Sequence, residues 1–223
     1  MRCRKDLAST FVATICVSLF LAVQLPGQTP ANKPDDSSHQ AAKDRWSFGA
    51  SAWFYVVPDT DLLVNPNFTA DHGRLHLEAR YNFEARQAGS LWAGSNFSVG
   101  DKLVLEMTPM LGCVFGKLNG VAPGYMLSLS FGRFSLTSQA EYVFDLADRS
   151  GNFFYSWSEF SYSPVEWFRA GMAAQRTKIY QTDLDIQRGL LVGFSRKKLS
   201  FTTYVFNFGW TDPTVVLSLG FTF

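Results

Sequence analysis

The last ten residues, 214–223, read TVVLSLGFTF. Val215, Leu217, Leu219, Phe221 and Phe223 share one face of an extended chain. Val216, Ser218, Gly220 and Thr222 share the other, because successive side chains of a strand point to opposite sides. An apolar face backed by a small, mostly polar one is the mark of a strand between two unlike environments. The pattern recurs upstream. Leu75, Leu77, Ala79, Tyr81 and Phe83 oppose His76, Glu78, Arg80, Asn82 and Glu84. Phe134, Leu136, Ala140, Tyr142 and Phe144 oppose Ser135, Thr137, Gln139, Glu141 and Asp145. Leu103, Leu105, Met107, Leu111 and Phe115 oppose Glu106, Thr108 and Gly112. No stretch from Trp46 onward keeps a helical period long enough to make a helix.

Alternation alone serves two architectures. A soluble barrel or sandwich turns the apolar face inward, whereas a membrane barrel turns it out to lipid and keeps a polar interior. Three features favour the membrane. The strands are long enough to cross a bilayer when tilted. Rings gather near strand ends, at Trp46 and Phe48, Phe131 and Phe134, Phe160 and Tyr162, Trp167 and Phe168, and Phe221 and Phe223, as an interfacial girdle requires. The second face is crowded with Ser, Thr, Gly, Asn, Gln and Glu, which suits a lumen.

Short turns and longer loops should alternate along such a chain. Phased from the C-terminus, they predict an all-β, antiparallel up-and-down transmembrane barrel of twelve strands. The spans are 46–57, 62–71, 74–84, 88–99, 102–115, 122–131, 133–145, 152–162, 166–177, 187–196, 199–208 and 213–223. Ten is the competing count, because Pro66 weakens the second strand. An even count puts both termini on the periplasmic side. No loop looks long enough for a large plug. Twelve tilted strands give a backbone diameter of roughly 24 Å and a free lumen of about 10–12 Å at most. Inward Gly94, Gly112, Gly171, Gly189, Gly193 and Gly220 would widen it, and inward Trp92, Trp157, Tyr155 and Tyr204 would narrow it.

The chain begins with Arg2, Arg4 and Lys5 and then a short apolar run, FVATICVSLFLAV. The run is too short for a membrane helix, and its flanks predict a signal peptide over 1–27. Residues 28–45 are polar and lack rings, as a periplasmic linker does, so 46–223 forms the barrel. Cys3 and Cys16 would leave with the signal, so Cys113 would have no partner for an intrachain disulfide. The 223 residues include 21 Phe and are 16% aromatic and 17% charged, which excludes a disordered chain. A net charge of +1 gives no footprint for nucleic acid.

The signal-like start, the alternating segments and the terminal TVVLSLGFTF resemble bacterial outer-membrane β-barrel, porin-like proteins. The resemblance implies an outer-membrane location among lipids and lipopolysaccharide. It also implies that Phe221 and Phe223 form a signal read by the barrel-assembly machinery.

Chemistry is sparse. His76-Leu77-Glu78-Ala79-Arg80 puts His, Glu and Arg on one face. It lacks the His-x-Ser run that barrel lipid hydrolases resemble one another in, and neither a nucleophile nor an orienting group is recognisable. No catalytic residue, metal site or cofactor is expected. Asp183 and Asp185 could hold a hard cation, but two loop acids usually stay solvated. The expected pore lining is Glu78, Arg80, Glu106, Glu141, Glu159 and Arg169, with Glu84 as a collector near the outer mouth. Arg80 and Arg169 are expected to bridge some of these acids. One reading is a narrow channel for cations or small polar solutes. The others are a structural or assembly-partner barrel with a salt-bridged, closed lumen, and a lipid-active hydrolase.

Overall fold

The computed structural model describes residues 45–58, 61–179, 185–209 and 213–223, the side chains of 178–179 excepted. The expected signal peptide, residues 28–44 of the linker and Asp183 lie outside the described residues.

Thirteen strand segments build twelve staves: β1 (Ser47–Val56), β2 (Leu63–His72), β3 (Leu75–Tyr81), β4 (Ala88–Ser95), β5 (Phe97–Val99), β6 (Leu103–Gly116), β7 (Gly120–Phe131), β8 (Phe134–Asp145), β9 (Phe153–Val165), β10 (Phe168–Ile179), β11 (Asp185–Arg196), β12 (Leu199–Phe206) and β13 (Thr214–Thr222). β4 and β5 are two halves of one broken stave, since both pair with β6. Each stave is antiparallel to its sequence neighbours, and β1 closes on β13 with Gly49 opposite Thr222 and Val56 opposite Val215. Closure leaves no strand edge, which a bilayer demands because it offers no water to an unpaired backbone group.

Twelve is therefore the count, and the Pro66 stave is real. The β2–β3 ladder begins only at Asn67, opposite Arg80, so Pro66 stands where β2 is paired with β1 alone. A proline is tolerated in that stretch because fewer ladder hydrogen bonds are required of it.

One end of the barrel holds the tight turns. Gly73 and Gly132 have φ of 59° and 56°, and Lys197 takes 55° without being glycine. A left-handed first residue is what a two-residue hairpin of this twist needs. This turn end also gathers Phe48, Phe221 and Phe223 into a stack, with centroids 5.6–5.8 Å apart. Trp46 joins at 6.0 Å from Phe48, and Phe134 meets Tyr162 at 5.0 Å. Phe223 is further tied by backbone hydrogen bonds to and from Phe48 of 2.9 and 3.1 Å.

The side-chain distribution decides between water and lipid outside. Leu91, Leu111, Phe68, Met172 and Leu190 are 55–61% exposed on the outer wall, while Trp53, Tyr55, Glu78, Arg80 and Glu141 are buried on the inner one. A soluble barrel would invert that arrangement. An apolar wall running round a closed ring far exceeds the patches that monomers show to water. Cys113, exposed and free, belongs to the same outer wall. Leu127, beside Met107 and Ser138 on this wall, gives a test. Leu127→Arg should cost about 2–4 kcal/mol near the midplane, read as a lower urea midpoint in liposomes. An unchanged midpoint would take Leu127 off the lipid face.

Candidate lumen site

β3 carries the lumen's row of charged side chains. Its period of two aims His76, Glu78 and Arg80 inward in succession, from the turn end toward the opposite, loop end. Register sets Asp71 of β2 beside His76, and Asp71 Oδ1 lies 2.8 Å from His76 Nδ1. Asn96, at the break between β4 and β5, donates to the same Oδ1 at 2.8 Å and accepts from Thr108 Oγ1 at 2.6 Å.

Arg80 is the hub. It donates to Glu78 Oε2 at 2.6 Å and to Glu141 Oε2 at 3.2 Å, with Glu84 Oε1 at 3.5 Å. Glu141 stands on β8, reached only through β4, β6 and β7, so this bond is a chord across the interior. The guanidinium also lies 4.4 Å from the centre of a Trp92 ring, a cation–π contact. The indole lies flat because Gly112 leaves it room: a Cβ there would sit 2.5 Å from Trp92. Trp92 Nε1 donates to Ser90 and Glu84 at 3.0 and 3.2 Å. The sequence thus builds a stack of wall glycine, flat indole, guanidinium and carboxylates.

A second cluster faces it. Glu159 accepts from Trp157 Nε1 at 2.9 Å, Tyr204 OH at 2.7 Å and Arg169 at 2.7 Å. Arg169 also donates to Thr202 Oγ1 at 3.1 Å and keeps its side chain 28% exposed. Gly193 makes the bed for Arg169, since a Cβ there would meet its Nε at 2.8 Å.

The loop half of the lumen is filled with rings. Trp53 stacks on Tyr204 at 5.6 Å, and Trp157 meets Trp53, Tyr204 and Phe206 edge-on at 5.0–5.6 Å. None of these four is more than 2% exposed. The turn half is lined instead by small hydroxyl residues and by Glu106, which stays half-buried opposite Ser98 and Ser128. Among the described residues Glu106 has no ion-pair partner.

Several expectations need correction. Glu84 is no collector at the mouth. The β3–β4 connection folds inward and buries Phe83 and Glu84 to 1% and 3% exposure. Asn82 and Gln87, both at φ 64°, make the inward bend, which Gln87 N locks by donating to Asn82 Oδ1 at 2.8 Å. A short connection therefore contributes to a plug that its length did not announce. Gly112, Gly189 and Gly193 do not widen the lumen, because they seat Trp92, Phe206 and Arg169. His76 does have an orienting acid, Asp71, although its Nε2 has no hydrogen-bond partner and lies 3.7 Å from Glu78 Oε2. Of the expected lining, Glu78, Arg80 and Glu141 come together, Glu159 and Arg169 form their own pair, and Glu106 stands apart. Trp53, Tyr55 and Asp71 were missed. Trp53-Phe54-Tyr55 puts three rings in a row, so alternation could not say which pair points inward, and only register settles it.

The closed ring, the apolar outer wall and the charged interior define a twelve-stave antiparallel β-barrel of the transmembrane type. The KdgM porin shares the fold with a TM-score of 0.56 at 10% identity, over 78% of this chain and 99% of that one. A structure of the KdgM porin in complex with disordered oligogalacturonate gives a TM-score of 0.55 at 10% identity, over 79% and 99%. No protein-family model matches the chain, and no curated protein matches it in sequence.

Proposed function

We propose that this protein is an outer-membrane channel for small cations or neutral polar solutes, held shut at its loop end in the conformation described. The observation that carries the reading is the chain of charged groups along the interior, from Asp71 and His76 through Glu78 and Arg80 to Glu84 and Glu141. Burying charges costs several kcal/mol each even when they pair, and an apolar filling would brace a purely structural barrel more cheaply. A polar route past the ring belt, once that belt opens, gives those charges a use.

Acids dominate the route. Asp71, Glu78, Glu84, Glu106, Glu141 and Glu159 stand against Arg80, Arg169 and His76. Oligogalacturonate, the ligand in the KdgM complex, is a chain of uronic acids. An acidic interior would repel it, so the reading for this chain is a different solute class. The termini face the periplasm in this reading, lipids and lipopolysaccharide surround the wall, and Phe221 and Phe223 serve the assembly machinery.

Glu106 tests the selectivity. It is the accessible, unpaired lumen acid, whereas Glu78 and Glu141 are sealed into the Arg80 cluster. A unit charge about 6 Å from a passing ion in water contributes ~0.7 kcal/mol, a factor of about three. The same charge repels an anion equally, so Glu106→Gln should lower the cation-to-anion permeability ratio by up to about tenfold, measured as a reversal potential in a salt gradient. The difference should shrink as salt rises. Anion preference in the unmodified protein would refute the charge argument.

A second reading rests on the ring belt. Trp53, Trp157, Tyr204 and Phe206 close the lumen so fully that a permanently shut, structural barrel would look the same. Conductance separates the two readings.

A further inference from the structure

The outer wall carries a groove of about 1020 Å³ across the seam where β13 meets β1. Ala50 and Ala52 of β1 form its floor. They lie between Phe221 and Leu219 of β13 on one side and Phe68 and Pro66 of β2 on the other. Two methyl-sized side chains between large ones make a trough. Leu199, Phe201 and Phe194 extend its wall, and Trp167 stands at the turn end with its ring 6.3 Å from Phe194. Arg196 lines the same rim, and Lys197 and Lys198 follow it in the two-residue turn. Among the described residues no acid pairs with any of these three.

We propose that this groove binds one anionic glycerophospholipid, with an acyl chain along Ala50 and Ala52 and the phosphate on Arg196, Lys197 and Lys198. The site rests on the reading that the outer wall faces lipid. Tryptophan and arginine settle at the level of the headgroups, so Trp167 and Arg196 mark where the trough leaves the hydrocarbon. The trough itself is apolar and continuous with the wall. The occupant must therefore have an apolar tail at one end and an anion at the other. The turn end is the one read as periplasmic, where the leaflet is glycerophospholipid. A second copy fits poorly. Protomers share one orientation in a membrane, so a two-fold axis along its normal would bring both basic clusters together at one depth.

Each basic residue near an anionic lipid surface is worth about fivefold in binding, so neutralising three should remove at least about tenfold after screening. The test is native mass spectrometry of the delipidated full chain in detergent, titrated with phosphatidylglycerol or phosphatidylcholine of the same acyl chains. The wild type should retain one phosphatidylglycerol about tenfold more tightly than phosphatidylcholine. Arg196→Gln, Lys197→Gln, Lys198→Gln together should bring the two lipids level with the heat-modifiable gel shift intact. Ala52→Phe should reduce both. Equal retention of the two lipids by the wild type would overturn the site, as would undiminished phosphatidylglycerol binding in the triple variant. So would lipopolysaccharide displacing phosphatidylglycerol. A chain that stays folded and monodisperse in buffer without detergent would instead refute the lipid-facing wall itself.

Discussion

Replacing Arg80 with methionine should destabilise the barrel by about 3–5 kcal/mol, the usual consequence of removing one partner from a buried ionic cluster. The variant leaves Glu78, Glu84 and Glu141 within reach of one another with no guanidinium among them and only His76, 3.7 Å from Glu78, as a basic neighbour. Each acid is at most 3% exposed, so water cannot solvate the charge that Arg80 leaves behind. The indole of Trp92 also loses the guanidinium 4.4 Å from a ring centre, and no other group of its shape is at hand. The loss should appear as a lower urea midpoint for refolded protein and a heat-modifiable band that melts earlier. Two companions give the prediction its specificity. Arg80→Lys should recover little, because an ammonium cannot stack on the indole and reach carboxylates on two walls together. Arg80→Met combined with Glu78→Gln, Glu84→Gln and Glu141→Gln should recover much of it, since a neutralised cluster no longer holds uncompensated charge. An unaltered midpoint in Arg80→Met would mean that the acids are solvated and the lumen open at this height.

Removing rings from the belt should do the opposite to the pore. Trp53 and Trp157 meet edge-on at 5.6 Å and sit at 0% and 2% exposure, so together they block the line between the two ends. Trp53→Ala with Trp157→Ala leaves a gap bordered by Tyr204 and Glu159, a polar edge that water can wet. A narrow apolar constriction resists ions by excluding water, and wetting it abolishes that barrier. Conductance in planar bilayers should rise on the order of tenfold over the wild type. Stability should fall in the same variant, because large-to-small substitutions in a packed interior cost about 3–5 kcal/mol each. A variant that folds, loses stability and still carries no current would show that the seal lies elsewhere, with the Phe83–Glu84 bend as the remaining closure.

The fold was legible because a membrane barrel has few ways to be built. Period-two alternation, ring-capped strands and short turns indicate the staves, and Phe134–Asp145 falls where alternation puts it, whereas Leu75–Tyr81 stops short of the expected 84. Inward direction was equally legible for Glu78, Arg80, Glu141 and Glu159, since polar side chains on a lipid-bathed strand have one place to go. Partners were harder. Arg80 reaches Glu141 across three intervening staves, and no local pattern encodes a chord. The Phe83–Glu84 bend was invisible for another reason. Both residues continue the alternation of β3, but Asn82 takes a left-handed φ of 64° and turns the chain off the strand. Glycines misled because a missing side chain reads as space in a sequence, whereas in a packed interior the space belongs to a neighbour such as Trp92.

The central claim is that the barrel conducts along an acidic interior with the ring belt as its gate. Planar-bilayer recording of the purified full chain in a salt gradient, beside the Trp53→Ala, Trp157→Ala variant, tests it most directly. The wild type should show small, infrequent, cation-favouring openings, and the variant sustained ones of the same selectivity. A silent wild type beside a folded but equally silent variant, or openings that favour anions in both, would contradict it.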